Sequence, residues 1–242
     1  MSDLSPDHPR YESLRLRNLI TAGVDAGITS VHGLVAHGRG EAFDYLLGEQ
    51  SHDFARIAVQ AAAALLISAD RPVVSVNGNA AALVPAELAE LAKVLGAPLE
   101  VNIFHASPDR EQAIGRHLLE HGAQSVLMPT REAELDFISS NRRFVHPEGI
   151  LLADVVFVPL EDGDRCQALR RMGKQVVTVD LNPLSRTASL ASVTIVDNVV
   201  RTLPLLLEAV GRLASGGTER GTATSYDNDS IRAMAIACIR GA

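Results

Sequence analysis

Over the first seventy positions the apolar residues return at three- and four-residue intervals, and beyond them they gather into short unbroken runs. Leu14, Leu16, Leu19, Ile20 and Val24 share one face of a helix expected over Tyr11–Ala26, which Gly27 stops. A second helix is expected over Asp53–Ala69, Ala-rich with bulky Phe54, Ile57, Leu65 and Leu66, with Ser51 or His52 available as its N-cap. From Pro72 the pattern changes. The β-branched run Pro72–Asn77 ends in Gly78-Asn79 and is followed by a helix near Pro85–Leu95. The same order returns at Leu99–Phe104 with helix Arg110–His121, at Ser125–Met128, at Asp154–Leu160 with helix Arg165–Met172, at Gln175–Asp180, and at Val193–Val196 with a helix from Val200.

Near-continuous apolar strands alternating with helices imply an α/β, Rossmann-like fold, a largely parallel sheet with helices on both faces. The reading is of a single domain over residues 1–242, with an N-terminal helical segment to about residue 70. The charged, irregular stretch Arg131–Gly149 forms an excursion or a lid. Ala214–Thr224, rich in Gly, Ser and Thr, reads as a linker to a last helix near Asp229–Ile239. There is no internal repeat.

Composition narrows the classes. Hydrophobic residues make up 47% and charged residues 21%, enough apolar surface for a core without the signature of disorder. The formal net charge of −7, only 4% aromatics and no Trp argue against a nucleic-acid surface. Cys166 and Cys238 sit in no CxxC or Cys/His cluster, which argues against a disulfide scaffold or structural zinc. The polar start and the shortness of the apolar run Ala61–Ile67 give the expectation of a soluble, cytoplasmic protein with no membrane partner.

Ligands of open α/β sheets bind beyond the carboxyl ends of the strands, so the polar residues that follow each apolar run are the candidates for chemistry. His37-Gly-Arg-Gly40 is read as a glycine turn before a helix start: either a tight turn with a surface Arg39, or an anion site of glycine N–H groups and a guanidinium. Asn77-Gly78-Asn79 is either a chain-reversing turn or a set of amides for a polar ligand. Glu161-Asp-Gly-Asp-Arg165 is either an acidic cap of the following helix or a metal or nucleotide site. Asp180-Leu-Asn182, followed by Ser185-Arg186-Thr187, offers a carboxylate for ribose or adenine and donors for phosphate; Asp197-Asn198 adds to the same rim or caps the helix after it. No P-loop and no GxGxxG occurs.

Longer strings decide more. His8–Tyr11, Gly33–Tyr45 (GLVAHGRGEAFDY), Pro72–Asn79 (PVVSVNGN), Val158–Arg165 (VPLEDGDR), Asp180–Arg186 (DLNPLSR) and Ile195–Asn198 (IVDN) resemble, in order and spacing along nearly the whole chain, the archaeal-type phosphopantothenate synthetase family, the 4-phosphopantoate–β-alanine ligases. The resemblance implies a Rossmann-like homodimer of coenzyme A biosynthesis that joins 4-phosphopantoate to β-alanine with ATP and Mg²⁺, through a phosphopantoyl-adenylate, releasing AMP and pyrophosphate. It implies ATP contacts by Arg17, Arg39, Asp180, Leu181, Asn182, Arg186, Thr187, Asn198 and Val199. His37, Arg39 and Asn77 are then the catalytic candidates, with His37 a base, an oxyanion donor or a phosphate ligand, and with Asn77, Gly78 and Asn79 for the acid substrate. An ADP-forming acyl-phosphate ligase and a non-catalytic ATP sensor are the competing readings. Departures from the family pattern fall at Ser30-Val-His32, in Arg131–Val145 and after Arg212.

Overall fold

The computed structural model describes residues 5, 7, 8, 10–216 and 226–241. Three helices open the chain: α1 (Tyr11–Asp25), α2 (Val31–Leu46) and α3 (Asp53–Ser68). Then follow β1 (Pro72–Val76), α4 (Gly78–Leu83), α5 (Pro85–Leu95), β2 (Leu99–Val101), α6 (Pro108–Glu120) and β3 (Val126–Leu127). An irregular excursion holding a short 3-10 helix (Asn141–Arg143) leads to β4 (Val155–Phe157), α7 (Gly163–Arg171), β5 (Gln175–Val179), α8 (Arg186–Leu190), β6 (Val193–Ile195), α9 (Val199–Ala214) and α10 (Asn228–Ile239).

The six strands form one all-parallel sheet in the order β3-β2-β1-β4-β5-β6. Strand side chains alternate between two cores. Val74, Val76, Phe157, Val177 and Val179 join the packing of α3, α5 and α9 on one face. Val73, Val156, Val158 and Val176 meet Cys166 and Leu169 of α7 on the other, together with Ala133, Leu135, Val145 and Ile150 of the excursion. A slip of one residue would exchange the two sets, so the register, with Val74 opposite Leu99 and Val73 opposite Val156, is fixed by burial.

Winding reverses between β1 and β4, and this places the carboxyl ends of two neighbouring strands over a crevice. The amide of Asn77 ties them together by donating to the carbonyls of Pro159 at 2.7 Å and Leu160 at 3.2 Å. Polar N-caps start the helices on this side: Asn77 for α4, Ser107 for α6, Asp162 for α7, Ser185 for α8 and Asn198 for α9.

Several expectations change. His37–Gly40 is not a turn before a helix but the middle of α2. The glycine that close approach requires is the earlier Gly33, where a Cβ would overlap Thr29 and Asn79; a Cβ on Gly38 would meet open space and one on Gly40 only an ordinary contact with Leu181 at 3.6 Å. Asn77-Gly-Asn79 does not reverse the chain either; it caps and begins α4, a helix the pattern did not announce, as Arg186-Thr187 begins α8. His52 precedes α3 without a capping bond from its side chain, while the Ser51 hydroxyl donates to Asp197. Residues 131–149 pack down on the second core instead of hanging free. Ala214 closes α9, and residues 217–224 of the expected linker lie outside the described residues.

Candidate active site

Above the carboxyl ends of the strands lies a cleft of about 1270 Å³. Its floor is the sheet edge, and one wall is α2, whose sole fully buried side chain is Asp44. His37 points into this wall with its Nε2 buried and without a hydrogen-bond partner among the described residues. Burial, reinforced by Arg17 and opposed by Glu41 and Asp44, holds its pKa below the ordinary imidazole value, so the ring is neutral near pH 7. Arg39, two positions on, is exposed to the cleft and makes no ion pair among the described residues.

Glu41 lies one turn beyond His37. Burial pushes its pKa up, but hydrogen bonds from Arg17 and Ser13 outweigh that and hold it below the usual carboxylate value. Arg17, on α1, donates from Nε to both Glu41 oxygens, at 3.0 and 2.9 Å, and from Nη2 to Tyr45 at 3.3 Å. Alone among the residues proposed for ATP, it does not line the cleft but stands behind Glu41. At the end of α2, Asp44 accepts from Asn198 Nδ2 at 2.8 Å and from Arg201 Nη2 at 2.5 Å, and Arg201 Nε also reaches Asp197 at 2.8 Å. This cluster fastens α2 to the N-terminus of α9, where Asn198 and Val199 face the cleft.

On the floor, both Asn77 and Asn79 line the cleft, but their amides are engaged in the fold. Asn77 Oδ1 accepts from Ala80 N at 3.0 Å, while Asn79 Nδ2 donates to the Gly33 carbonyl at 2.9 Å and its Oδ1 accepts from Thr29. Gly78 is required between them, since a Cβ there would come within 2.5 Å of the Ile28 carbonyl. Leu160, at the end of β4, holds φ of 58° without being glycine. A strained backbone of this kind costs of order 1 kcal/mol and persists where neighbours fix it, here Asn77 and the bond from Leu160 N to Val179 O at 3.0 Å.

The acidic run after β4 divides into different tasks. Asp162 caps α7, accepting from Arg165 N at 2.8 Å. Glu161 is buried between the guanidiniums of Arg142 and Arg165; burial pushes the carboxyl pKa up and that of Arg165 down, and their mutual attraction opposes both. Asp164 pairs with Arg186 on the surface. The Asp180 carboxylate shapes its own loop, bonded to Ser185 and to Asn182 N at 2.9 Å; burial raises its pKa against those bonds and the charge of Arg39. Thr187 donates to the Glu161 carbonyl at 2.9 Å, which joins the loops after β4 and β5. Leu181 and Asn182 complete this end of the cleft.

Comparison with known proteins fixes the family. Residues 54–242 match the model of the phosphopantothenate/pantothenate synthetase family. Curated relatives of the chain carry the name 4-phosphopantoate--beta-alanine ligase. The protein of Methanosarcina mazei is 48% identical over 242 residues, covering 99% of this chain and 95% of its own. That of Thermococcus onnurineus is 51% identical over 211 residues (86% of this chain, 80% of its own), and that of Thermococcus kodakarensis is 45% identical over 245 residues (99% and 93%). The chain belongs to the phosphopantothenate/pantothenate synthetase family.

The family match proper begins at residue 54, after α1 and α2, so the wall that carries His37 and Arg39 is covered by the near-full-length relatives instead. In this synthetase-family chain the cleft gathers, with Arg17 set aside, every residue named for ATP or substrate from the sequence. It also holds groups that the sequence reading passed over. Glu41 and Asp44 follow His37 at helical spacing, a signal hidden while that stretch was read as a turn. Arg201 stands four residues after Asp197. His32, His105, Arg110 and Arg142 reach the cleft only through the tertiary fold, and nothing in their local sequence marks them.

Proposed function

We propose that the chain is an ATP-dependent ligase of coenzyme A biosynthesis that condenses 4-phosphopantoate with β-alanine to 4'-phosphopantothenate through a phosphopantoyl-adenylate, releasing AMP and pyrophosphate. The observation that carries this reading is the 48% identity, over 99% of the chain, with a curated 4-phosphopantoate--beta-alanine ligase. The cleft supports it. Attack of a carboxylate on the α-phosphorus brings two anions together, so the site must supply cations and alignment. Arg39 is free to meet the triphosphate, Arg186 is close by on an exposed pair with Asp164, and Arg17 stands behind the cleft wall on a part-buried pair with Glu41. Asn182 and the start of α9, where Asn198 and Val199 line the cleft, offer polar contacts for the nucleoside.

Among the described residues no three His, Cys, Asp or Glu side chains cluster for a metal. That suits Mg²⁺, which takes one or two carboxylates and otherwise phosphate oxygens and water. Asp162, at the cleft and partly exposed, is the carboxylate placed to share it. When bound, the ion supplies charge neutralisation on the triphosphate. In the second half-reaction the β-alanine amine must be neutral to attack. His37, kept neutral by burial and with a free Nε2, is the group suited to take its proton. Assembly as a homodimer and action in the cytoplasm belong to the same reading.

An end-point assay with ATP, Mg²⁺, 4-phosphopantoate and β-alanine tests the proposal. AMP appearing with the amide in equal amounts is expected. ADP with the amide replaces the adenylate by an acyl-phosphate, and ATP binding without amide overturns the ligase reading in favour of a sensor.

A further inference from the structure

The nucleotide-type groups occupy one end of the cleft, after β5 and β6. The other end, after β2 and at the start of α2, carries imidazoles and a guanidinium that the steps above do not use. His32 and His105 are both exposed there, stacked with ring centroids 4.4 Å apart and planes inclined by 25°. No hydrogen bond engages either imidazole among the described residues. Arg110, on α6, reaches the same place: one Nη donates to the His105 carbonyl, the other to the Ile28 carbonyl at 3.3 Å, and its Nε is buried without a partner.

Two imidazoles and a guanidinium here face no carboxylate at ion-pair distance among the described residues; Glu111, the acidic neighbour that Arg110 senses, makes no ion pair with it. Burial, and then His32 and Arg110, hold the pKa of His105 below the ordinary imidazole value. Phe104, 55% exposed, stands edge-on to His105 at 5.1 Å and continues an apolar wall with Ile103 and Leu83. The amides of Asn77 and Asn79, by contrast, are spent on the fold. From β2 to β5 is three strand spacings, roughly 14 Å at the usual 4.8 Å or so, far enough to seat two anionic groups apart.

We propose that His32, His105 and Arg110 receive the phosphate monoester of the acid substrate, with its apolar carbon skeleton against Phe104 and Ile103, and that this cluster selects the phosphorylated acid over the free one. The inference rests on the ligase reading above. A phosphate dianion gains charge-assisted hydrogen bonds from the Arg110 guanidinium and accepts from the unengaged imidazole N–H groups, whereas an uncharged hydroxyl offers far less to either.

The test is steady-state kinetics of the whole chain with ATP, Mg²⁺, β-alanine and either 4-phosphopantoate or pantoate. Both histidines are exposed, so the double variant His32→Ala/His105→Ala is expected to melt with the wild type. Its KM for 4-phosphopantoate should rise about 10- to 100-fold, and its preference for the phosphorylated acid in kcat/KM should fall by a similar factor. Its KM for ATP should move by no more than about twofold. Arg110→Lys, which keeps the charge and loses the fork, should give an intermediate loss of preference. A rise in KM for ATP instead would assign the cluster to the triphosphate and overturn the proposal. So would an unchanged preference in variants of an active wild type. Failure of the wild type to form amide from either acid would overturn the ligase reading itself, an outcome distinct from both.

Discussion

Arg39 is a guanidinium on a helix wall that makes no ion pair among the described residues, while most arginines around it are paired. Arg39→Ala is therefore expected to leave the thermal midpoint nearly unchanged, as for an exposed site, and to raise KM for ATP about 10- to 100-fold, the range for a lost charge-assisted bond. Calorimetry alongside initial rates checks both halves. His37 makes a different case. Its pKa is held below the ordinary value chiefly by burial, so the neutral ring persists above that lowered pKa and is lost only as the solution becomes more acid. The kcat profile should show an acid limb with a midpoint below 6.5, and His37→Gln should lower kcat and abolish that limb. The identities of both residues were legible in the string GLVAHGRGEAFDY. Their setting was not, because glycines at 38 and 40 read locally as a turn, and only packing of α2 against α1 and α4 makes the stretch helical.

At the level of elements, the loops after β4 and β5 are held in place by one buried ionic knot. Glu161 joins Arg142 of the excursion to Arg165 of α7, and Arg165 Nη2 in turn donates to Ser75 on β1 at 3.0 Å. Glu161→Ala leaves the Arg165 guanidinium buried without its carboxylate and Arg142 with Asp162 as its remaining partner, and is expected to cost about 3–5 kcal/mol of stability, read from denaturant midpoints. The strands and the helices between them were legible, since their apolar runs and polar caps are local signals. The role of the excursion was not: Arg142 lies in a segment without periodicity and acquires its partners from residues 19 to 40 positions away. The short helices α4 and α8 were missed because six and five residues are too few to show a helical period.

Across the whole molecule, the sheet carries an acid in its interior as well as functional groups at its edge. Glu100 on β2 accepts from His146 N at 2.9 Å and Ile150 N at 2.6 Å and so pins the end of the excursion to the second face. Burial pushes its pKa from 4.5 to about 7, against those bonds and the charge of Arg165. For a carboxyl raised on folding, its share of stability is full below the unfolded value and is lost as pH rises from about 4.5 through about 7. A carbon-13 NMR titration of the Glu100 carboxyl should show a midpoint near 7, and a midpoint near 4.5 would mean that water reaches it. The parallel arrangement was legible in the repeated strand-and-helix order. The crossing from β1 to β4, which opens the cleft, depends on strand order and leaves no local trace.

Because every strand runs the same way, all the chemistry collects on one side of the sheet, and the loops that lead into the strands face the opposite side. Gly122, exposed ahead of β3 with φ of 100°, lies there. That geometry gives the molecule a working side and a handling side. A peptide tag or surface tether spliced in beside Gly122 would hang away from the reagents, and the catalyst could be anchored to a solid support with its mouth open to the solution.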